Sequence, residues 1–169
     1  MDPELVATAI RVLDANRAAG RTIVTAESCT GGLVAAALTE IAGASDVFDR
    51  GFVTYSNEAK MEAIGVNQDI LETFGAVSIA VAWAMAQGAL KHSQADISVA
   101  ITGVAGPAGG SERKPVGTVV FACATRDGDP DVVVADVRHF GDLGRAEIRR
   151  QAALVALELL MPDSVAPVS

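Results

Sequence analysis

The apolar residues of the chain fall into two kinds of segment, short continuous runs and longer stretches with helical spacing. A short run of β-branched and aliphatic residues predicts a buried strand, whereas apolar residues three or four positions apart predict an amphipathic helix. The runs that predict strands cover residues 21–24, 51–55, 95–101, 118–125 and 132–140. The helical stretches cover residues 3–20, 33–41, 58–64, 67–74, 78–91 and 144–160. Strands and helices therefore alternate through the first two thirds of the chain, and a hairpin and a helix follow.

This order of elements predicts an α/β fold in a single domain over residues 1–169, with its core at about residues 5–160. We expect a three-layer α/β/α architecture, with helices on both faces of a mixed, mostly parallel sheet of about five strands. In such folds, ligands bind at the carboxyl ends of the parallel strands. The first three predicted strands end near Ser28, Tyr55 and Thr102. These three polar residues should therefore converge at one edge of the sheet.

The composition and net charge limit the cellular compartments and the classes of binding partner that we expect. Half of the 169 residues are hydrophobic but only 4% are aromatic, so Ala, Val, Ile and Leu must form the core. The net charge of −8 argues against broad contact with nucleic acid or anionic membranes. Cys29 and Cys123 are the only cysteines, and no signal peptide or membrane-length apolar run is present, so we expect a cytoplasmic protein. The Ala-rich helix over residues 78–91 could pack closely on a sheet or a second subunit, and we expect a homodimer or higher homo-oligomer.

Ser28 lies where a predicted strand passes into a helix, and the small residues Gly31 and Gly32 follow it. The free N–H groups at a helix start favour negative charge, so a hydroxyl nucleophile placed there would have oxyanion donors beside it. The alternative is structural, since serine commonly serves only as an N-cap at a helix start.

Metal and histidine chemistry are not favoured by the sequence. His92 and His139 are far apart and have no second ligand at helical spacing, so we expect neither a metal nor a cofactor. Neither histidine lies in a loop after a strand, where the histidine of a Ser-His-Asp triad usually lies. Lys60, on the short helix after the second predicted strand, is a better candidate base, because a partly buried lysine can lose its proton near neutral pH. Its alternative is an ordinary solvated lysine.

Two further features concern anions. The glycine-rich loop over residues 102–111 lacks the Gly-Lys-Ser/Thr of a P-loop and leads into a strand, so it is either a flexible connection or a loop that covers a ligand. Arg145 lies at a helix start, where the helix dipole prefers acidic residues. An external phosphate would resolve this mismatch, whereas the alternative is a surface ion pair with Asp142 or Glu147.

Three segments carry a resemblance to a known family: residues 25–32 (TAESCTGG), residues 50–60 (RGFVTYSNEAK), and residues 102–107 with 114–118 (TGVAGP and KPVGT). They closely resemble the CinA C-terminal domain family, and the resemblance covers about residues 5–160. It implies a three-layer α/β/α fold with a mixed sheet. It also implies hydrolysis of nicotinamide mononucleotide, a small-molecule nucleotide, to nicotinate mononucleotide and ammonia, a step of pyridine nucleotide salvage.

The resemblance also implies roles for individual residues. Ser28 matches the nucleophile and Lys60 its base, and Tyr55 completes the expected catalytic set. The expected substrate-binding residues are Glu27, Thr30, Gly31, Gly32, Thr102, Gly103, Gly106 and, for the phosphate, Arg145. Other functions stay open at this point: a non-catalytic nucleotide-binding or regulatory module, an amidase for another substrate, and an interaction protein in competence or DNA repair.

Overall fold

A computed structural model describes residues 1–163 and confirms the α/β fold. The strands are β1 (Ile23–Glu27), β2 (Phe48–Val53), β3 (Ile97–Gly103), β4 (Thr118–Thr125) and β5 (Ala135–His139). The helices are α1 (Pro3–Ala18), α2 (Leu33–Thr39), α3 (Asn57–Ile64), α4 (Gln68–Phe74), α5 (Ile79–Lys91) and α6 (Arg145–Leu159), and a 3₁₀ turn covers Ala44–Asp46. The five strands form one mixed sheet.

The sheet has the order β2-β1-β3-β4-β5. β1 pairs in parallel with both β2 and β3, whereas β4 is antiparallel to β3 and to β5. Four strands therefore run in the same direction. Glu27, the last residue of β1, lies opposite Val53 of β2 and Ile101 of β3. This register brings the residues that follow, Ser28, Thr54 and Thr102, to one level at the carboxyl edge of the sheet.

Helices cover the sheet on both faces. One buried cluster joins α1, α2 and α6 to side chains such as Val99 and Phe121. The other joins α3, α4 and α5 to the intervening residues of the same strands, such as Ala100 and Ala122. Successive side chains of a strand point to opposite faces, which explains this division. The small alanines on the second face allow α5 to pack closely on β3 and β4.

The strand boundaries differ from the sequence prediction. β1 runs to Glu27, three residues beyond the predicted run, and β2 is shifted to begin at Phe48 and end at Val53. The polar residues Thr25 and Glu27 ended the apolar pattern, but β1 is a central strand with neighbours on both sides, so backbone pairing continues through them. β5 is shorter than predicted, because the chain before Ala135 forms a turn in which the Val132 N–H donates to the Asp129 carbonyl.

A close helix contact fixes α3 against α5. Gly88 of α5 meets the end of α3, and a Cβ atom added to Gly88 would lie 1.9 Å from the Ile64 carbonyl oxygen. Ser56 begins α3 by accepting a hydrogen bond from the Ala59 N–H at 3.0 Å. Lys60 and Ile64 are one helical turn apart and are both buried. The contact at Gly88 thus sets the depth at which Lys60 enters the protein.

We expect Gly88→Ala to lower the free energy of unfolding by about 1–3 kcal/mol, because the added methyl group must displace main-chain atoms of α3. Urea denaturation measures the change. Gln87→Ala, at the adjacent position of α5, is the matched control and should stay within about 0.5 kcal/mol of the wild type. Wild-type stability of Gly88→Ala would contradict the close approach of α3 and α5.

Candidate active site

Ser28 and Lys60 meet at the carboxyl edge of the sheet. The Lys60 Nζ donates to the Ser28 Oγ at 3.0 Å, to the Thr54 carbonyl at 2.8 Å and to the Tyr55 carbonyl at 3.3 Å. The relative exposure of Lys60 is 1% and that of Ser28 is 8%. The alternative of a solvated Lys60 is therefore wrong. The two residues are held together within one hydrogen bond.

The surroundings of Lys60 favour its neutral form. Burial lowers the pKa of the Lys60 amine below the ordinary value of 10.5, because the ammonium loses its hydration, while the neighbouring Cys29 thiol acts weakly in the opposite direction. Within residues 1–163, no carboxylate lies within ion-pair distance of the Lys60 Nζ. A neutral Lys60 amine can accept the proton of the Ser28 hydroxyl.

A cavity of about 220 Å³ lies in front of this pair. Six of the residues predicted from the sequence line it: Ser28, Tyr55, Lys60, Thr102, Gly103 and Arg145. Five further residues line it that the sequence prediction missed: Cys29, Asn57, Ala76, Val77 and Ala105. Asn57 and Cys29 could have been suggested by their adjacency to the motifs. The apolar residues carry no chemical signal of their own.

Glu27 lies behind the cavity wall and not in it. Its side chain is fully buried, and its Oε1 accepts from the Thr30 hydroxyl at 2.6 Å and from the Val34 N–H at 2.9 Å. Its Oε2 accepts from the Ala35 N–H at 3.1 Å. Glu27, predicted to bind the substrate, thus makes its observed contacts with Thr30 and the start of α2. Glu27 satisfies the first amides of α2, so these amides are not free to bind an oxyanion.

The loop between β1 and α2 also corrects the interpretation of Ser28 as an N-cap. The N-cap of α2 is Gly32, which has a φ of 97° that favours glycine, and the helix begins only at Leu33. The Gly31 N–H donates to the Ser28 carbonyl at 3.0 Å. Three residues predicted to bind the substrate do not line the cavity and lie in this loop: Gly31, Gly32 and the fully buried Thr30.

Tyr55 and Arg145 meet at the mouth of the cavity. The Tyr55 side chain is 61% exposed, and its hydroxyl accepts from the Arg145 Nη2 at 2.9 Å. The main-chain carbonyl of Tyr55, not its hydroxyl, faces the reactive pair, since the Ser28 Oγ contacts it at 3.5 Å. The Arg145 Nη1 donates to the Gly106 carbonyl at 2.7 Å. Arg145 therefore joins the glycine-rich loop to the loop that carries Tyr55.

The surface ion pair considered for Arg145 is not formed. No carboxylate in the described part of the chain lies within 4.0 Å of its guanidinium. The neighbouring Arg150, by contrast, pairs with Asp2, Glu4 and Glu147. Arg145 thus brings an uncompensated positive charge to the cavity mouth.

Thr102 and Gly103 fix the opposite wall. The Thr102 hydroxyl donates to the Ala76 carbonyl at 2.8 Å and holds the segment before α5 against the cavity. A Cβ atom on Gly103 would lie 2.8 Å from the Thr118 carbonyl oxygen, so only glycine allows this approach of β3 and β4. Gly106 has a φ of 75° and presents its carbonyl to Arg145.

The two histidines lie away from the cavity. The His92 Nδ1 is 2.8 Å from the Gly88 carbonyl, and the His139 Nδ1 is 3.3 Å from the Thr118 hydroxyl. Neither lines the cavity that contains Ser28. Across residues 1–163, no group of three or more His, Cys, Asp or Glu side chains could hold a metal ion. Over the same residues, no helix has the length and apolar character needed to cross a membrane.

We expect the Lys60 amine to titrate below pH 10.5, because burial disfavours its charged form. Between the lowered pKa and 10.5, the unfolded chain binds a proton that the folded chain does not, so this residue's contribution to stability increases as the pH rises through that window. NMR of lysine-labelled protein measures the pKa, and Lys60→Met identifies the signal. A Lys60 pKa at or above the ordinary value would contradict this account of its surroundings.

Comparison with known proteins identifies the family. Residues 6–163 match the CinA C-terminal domain. The chain is 52% identical over 159 residues to the nicotinamide-nucleotide amidohydrolase PncC of Escherichia coli K12, covering 94% of each protein. It is 50% identical over 141 residues to a putative competence-damage inducible protein of Caldicellulosiruptor saccharolyticus, of which it covers 33%.

Solved structures give the same result. The competence/damage inducible protein CihA of Agrobacterium tumefaciens superposes with a TM-score of 0.90 at 49% identity, covering 95% of both chains. A CinA superfamily protein of Klebsiella pneumoniae superposes with a TM-score of 0.86 at 37% identity, covering 92% of this chain and 94% of that one. The family match, the sequence relatives and the superposed structures agree over nearly the whole chain, and the chain therefore belongs to the CinA C-terminal domain family.

Proposed function

We propose that this protein is an amidohydrolase that converts nicotinamide mononucleotide and water to nicotinate mononucleotide and ammonia. The observation that carries the proposal is the 3.0 Å hydrogen bond between the Lys60 Nζ and the Ser28 Oγ inside a cavity. A buried amine beside a hydroxyl is an arrangement that activates serine for acyl transfer. The substrate is suggested by the name of the Escherichia coli relative, which is 52% identical.

In the proposed acylation step, the neutral Lys60 amine takes the proton of Ser28 while the Ser28 Oγ attacks the carboxamide carbon. The carbonyl π electrons move to oxygen and give a tetrahedral oxyanion. The carbon–nitrogen bond then breaks, and the Lys60 ammonium gives its proton to the departing nitrogen, which leaves as ammonia. Ser28 then carries the nicotinoyl group as an ester, and Lys60 is neutral again.

The proposed oxyanion donor is the backbone N–H of Cys29. The amides of Ser28 and Gly31 are already used, since they donate to the carbonyls of Ile101 at 2.9 Å and of Ser28 at 3.0 Å. Within the described residues, no main-chain carbonyl accepts from the Cys29 N–H, and Cys29 lines the cavity. A donor directly after the nucleophile is well placed for the charge that develops on the carbonyl oxygen.

In the proposed deacylation step, Lys60 serves as a base a second time. It takes a proton from a water molecule that attacks the ester carbon. The bond between the carbon and the Ser28 Oγ then breaks, and Ser28 recovers its proton from the Lys60 ammonium. The product acid gives its remaining proton to solvent, and nicotinate mononucleotide leaves as a carboxylate. The acid and base roles of one lysine thus account for both halves of the reaction.

Arg145 is the proposed phosphate contact. Its guanidinium has no carboxylate partner among the described residues, and it lies at the start of α6, whose N-cap Gly144 makes no side-chain cap. Helix starts without a cap present amides that favour an anion. Although the net charge of −8 repels a phosphate at long range, screening confines that repulsion to roughly 8 Å, so local donors prevail. The Tyr55 ring beside Arg145 is then available to the nicotinamide ring.

We further propose the setting of this activity. The enzyme acts in the cytoplasm, in pyridine nucleotide salvage, as a homodimer or higher homo-oligomer. Cys29 and Cys123 are both free and buried, which suits a reducing compartment. Sedimentation of the purified protein measures the oligomeric state, and a monomer at enzyme concentrations would contradict that part of the proposal.

Replacement of the nucleophile is the direct test of the reaction. We expect Ser28→Ala to lower the rate of ammonia release from nicotinamide mononucleotide by about a thousandfold or more, because Ser28 carries the hydroxyl that the Lys60 Nζ contacts. Ser45→Ala, at an exposed serine of the 3₁₀ turn, is the matched control and should keep the wild-type rate. Ammonia release that survives the loss of Ser28 would exclude the acyl-enzyme route.

Removal of Arg145 tests the phosphate contact. We expect Arg145→Ala to raise KM for nicotinamide mononucleotide by about tenfold to a hundredfold, because a charged hydrogen bond is lost. The KM or rate for nicotinamide riboside, which lacks the phosphate, should change much less. Arg138→Ala, whose guanidinium pairs with Asp136 on β5, is the control for a general change in charge. Equal losses for both substrates would mean that the phosphate binds elsewhere.

A further inference from the structure

Arg149 holds the loop that follows the nucleophile. Its Nε donates to the Cys29 carbonyl at 3.1 Å, and its Nη2 donates to the Thr30 carbonyl at 3.0 Å. The side chain is half-buried and does not line the cavity, so it does not touch a ligand there. A Cβ atom on Gly31 would lie 3.4 Å from the Arg149 Nη2, so the guanidinium packs directly on the loop.

The partners of Arg149 differ from those of an ordinary surface arginine. Its Nε and Nη2 both donate to main-chain carbonyls of one loop, and none of the carboxylates in residues 1–163 forms an ion pair with it. Arg150, the next residue of α6, instead pairs with Asp2, Glu4 and Glu147. A two-point contact from a rigid, planar guanidinium fixes direction as well as distance. Arg149 is therefore suited to orient peptide groups.

The geometry of the peptide bond carries this orientation to the site. Peptide bonds between residues other than proline are trans, so each C=O of the Ser28 loop points opposite to the next N–H. When Arg149 holds the Thr30 carbonyl, the Gly31 N–H points the other way, toward the Ser28 carbonyl, to which it donates at 3.0 Å. The fixed Ser28 carbonyl in turn directs the Cys29 N–H, which lies in the same peptide plane and points in the opposite direction.

We propose that Arg149 is a positioning residue for the oxyanion donor: its guanidinium fixes three successive peptide planes and so aims the Cys29 N–H at the reacting carbonyl oxygen. This inference rests on the proposed amidohydrolase function. Burial and the nearby Glu27 carboxylate raise the pKa of the Cys29 thiol, which is about 11, and the Arg149 charge acts in the opposite direction. A positive charge held near the loop stabilises a developing oxyanion in the same sense.

A purely structural role would have a different signature. Loss of a structural contact lowers stability and affects substrate, product and transition state alike. Loss of oxyanion orientation acts on the transition state, so kcat falls while KM changes little. The aldehyde analogue of the substrate separates these effects, because the Ser28 hydroxyl adds to its carbonyl carbon and the adduct places an oxygen at the oxyanion position. The product nicotinate mononucleotide binds without forming that adduct.

The test compares Arg149→Lys with Arg150→Lys, two variants that keep the charge at adjacent positions of α6. For Arg149→Lys we expect kcat for nicotinamide mononucleotide to fall about tenfold to a hundredfold, with KM within about twofold, since lysine cannot make the two-point contact. The affinity for the aldehyde should fall by the same factor as kcat, and the affinity for nicotinate mononucleotide should stay at the wild-type value. Arg150→Lys should leave kcat and both affinities unchanged.

A second variant keeps the test decisive if the lysine variant folds poorly. Arg149→Ala should regain activity on addition of millimolar guanidinium, which restores the planar donor, and not on addition of the same concentration of methylammonium. Wild-type kcat in Arg149→Lys, or equal losses of aldehyde and product affinity, would overturn this inference and leave the proposed function intact. Wild-type protein that releases no ammonia would overturn the proposed function, and this inference with it.

Discussion

The buried contact between Lys60 and Ser28 is the constraint on which the rest of the site depends. An ammonium that is 1% exposed loses most of its hydration, and its hydrogen-bond partners are the Ser28 hydroxyl and two main-chain carbonyls, none of which carries a full negative charge. Such surroundings favour the neutral amine. The same burial that makes a charged Lys60 unfavourable for stability therefore lowers the pKa of its amine, as the proposed role of base requires.

The sheet and its helices place this pair through a small number of contacts. The register of β1 against β2 and β3 brings Ser28 beside Thr54 and fixes the edge at which Lys60 arrives. Gly88 allows α3 to lie close to α5. Glu27 accepts hydrogen bonds from the first N–H groups of α2 and so holds the end of the loop that follows Ser28. α6 reaches the same loop through Arg149, which donates to the Cys29 and Thr30 carbonyls. Lys60 thus lies on a helix, and Ser28 lies in a loop directly after the central strand β1.

Much of this arrangement could be predicted from the sequence, because it follows from local patterns. The strand-like runs and the helical spacing predicted a five-stranded α/β sheet, and the polar residues after the first three strands predicted the edge where Ser28 and Thr102 lie. The position of Lys60 on the helix after β2 predicted its approach to Ser28. These inferences need only the period of each element and the rule that parallel strands share a carboxyl edge.

The remaining features depend on contacts between distant residues, which a single sequence does not reveal. Glu27 lies within a motif that suggests ligand binding, but its carboxylate faces the buried amides of α2. The apolar wall residues Ala76 and Val77 are placed by a hydrogen bond from Thr102, 26 residues away from Ala76. Arg149 contacts the Cys29 carbonyl across 120 positions, so no local pattern could assign its partner.

The covalent state of Ser28 during turnover tests the central claim most directly. The purified protein is mixed with nicotinamide mononucleotide, quenched in acid within milliseconds to seconds, digested, and analysed by peptide mass spectrometry. The account predicts an ester of nicotinate mononucleotide on Ser28 that appears before steady-state product and decays as substrate is exhausted. Ammonia release at the wild-type rate together with the same adduct on another residue, or steady turnover in which rapid quenching with hydroxylamine traps no acyl group from Ser28, would contradict it.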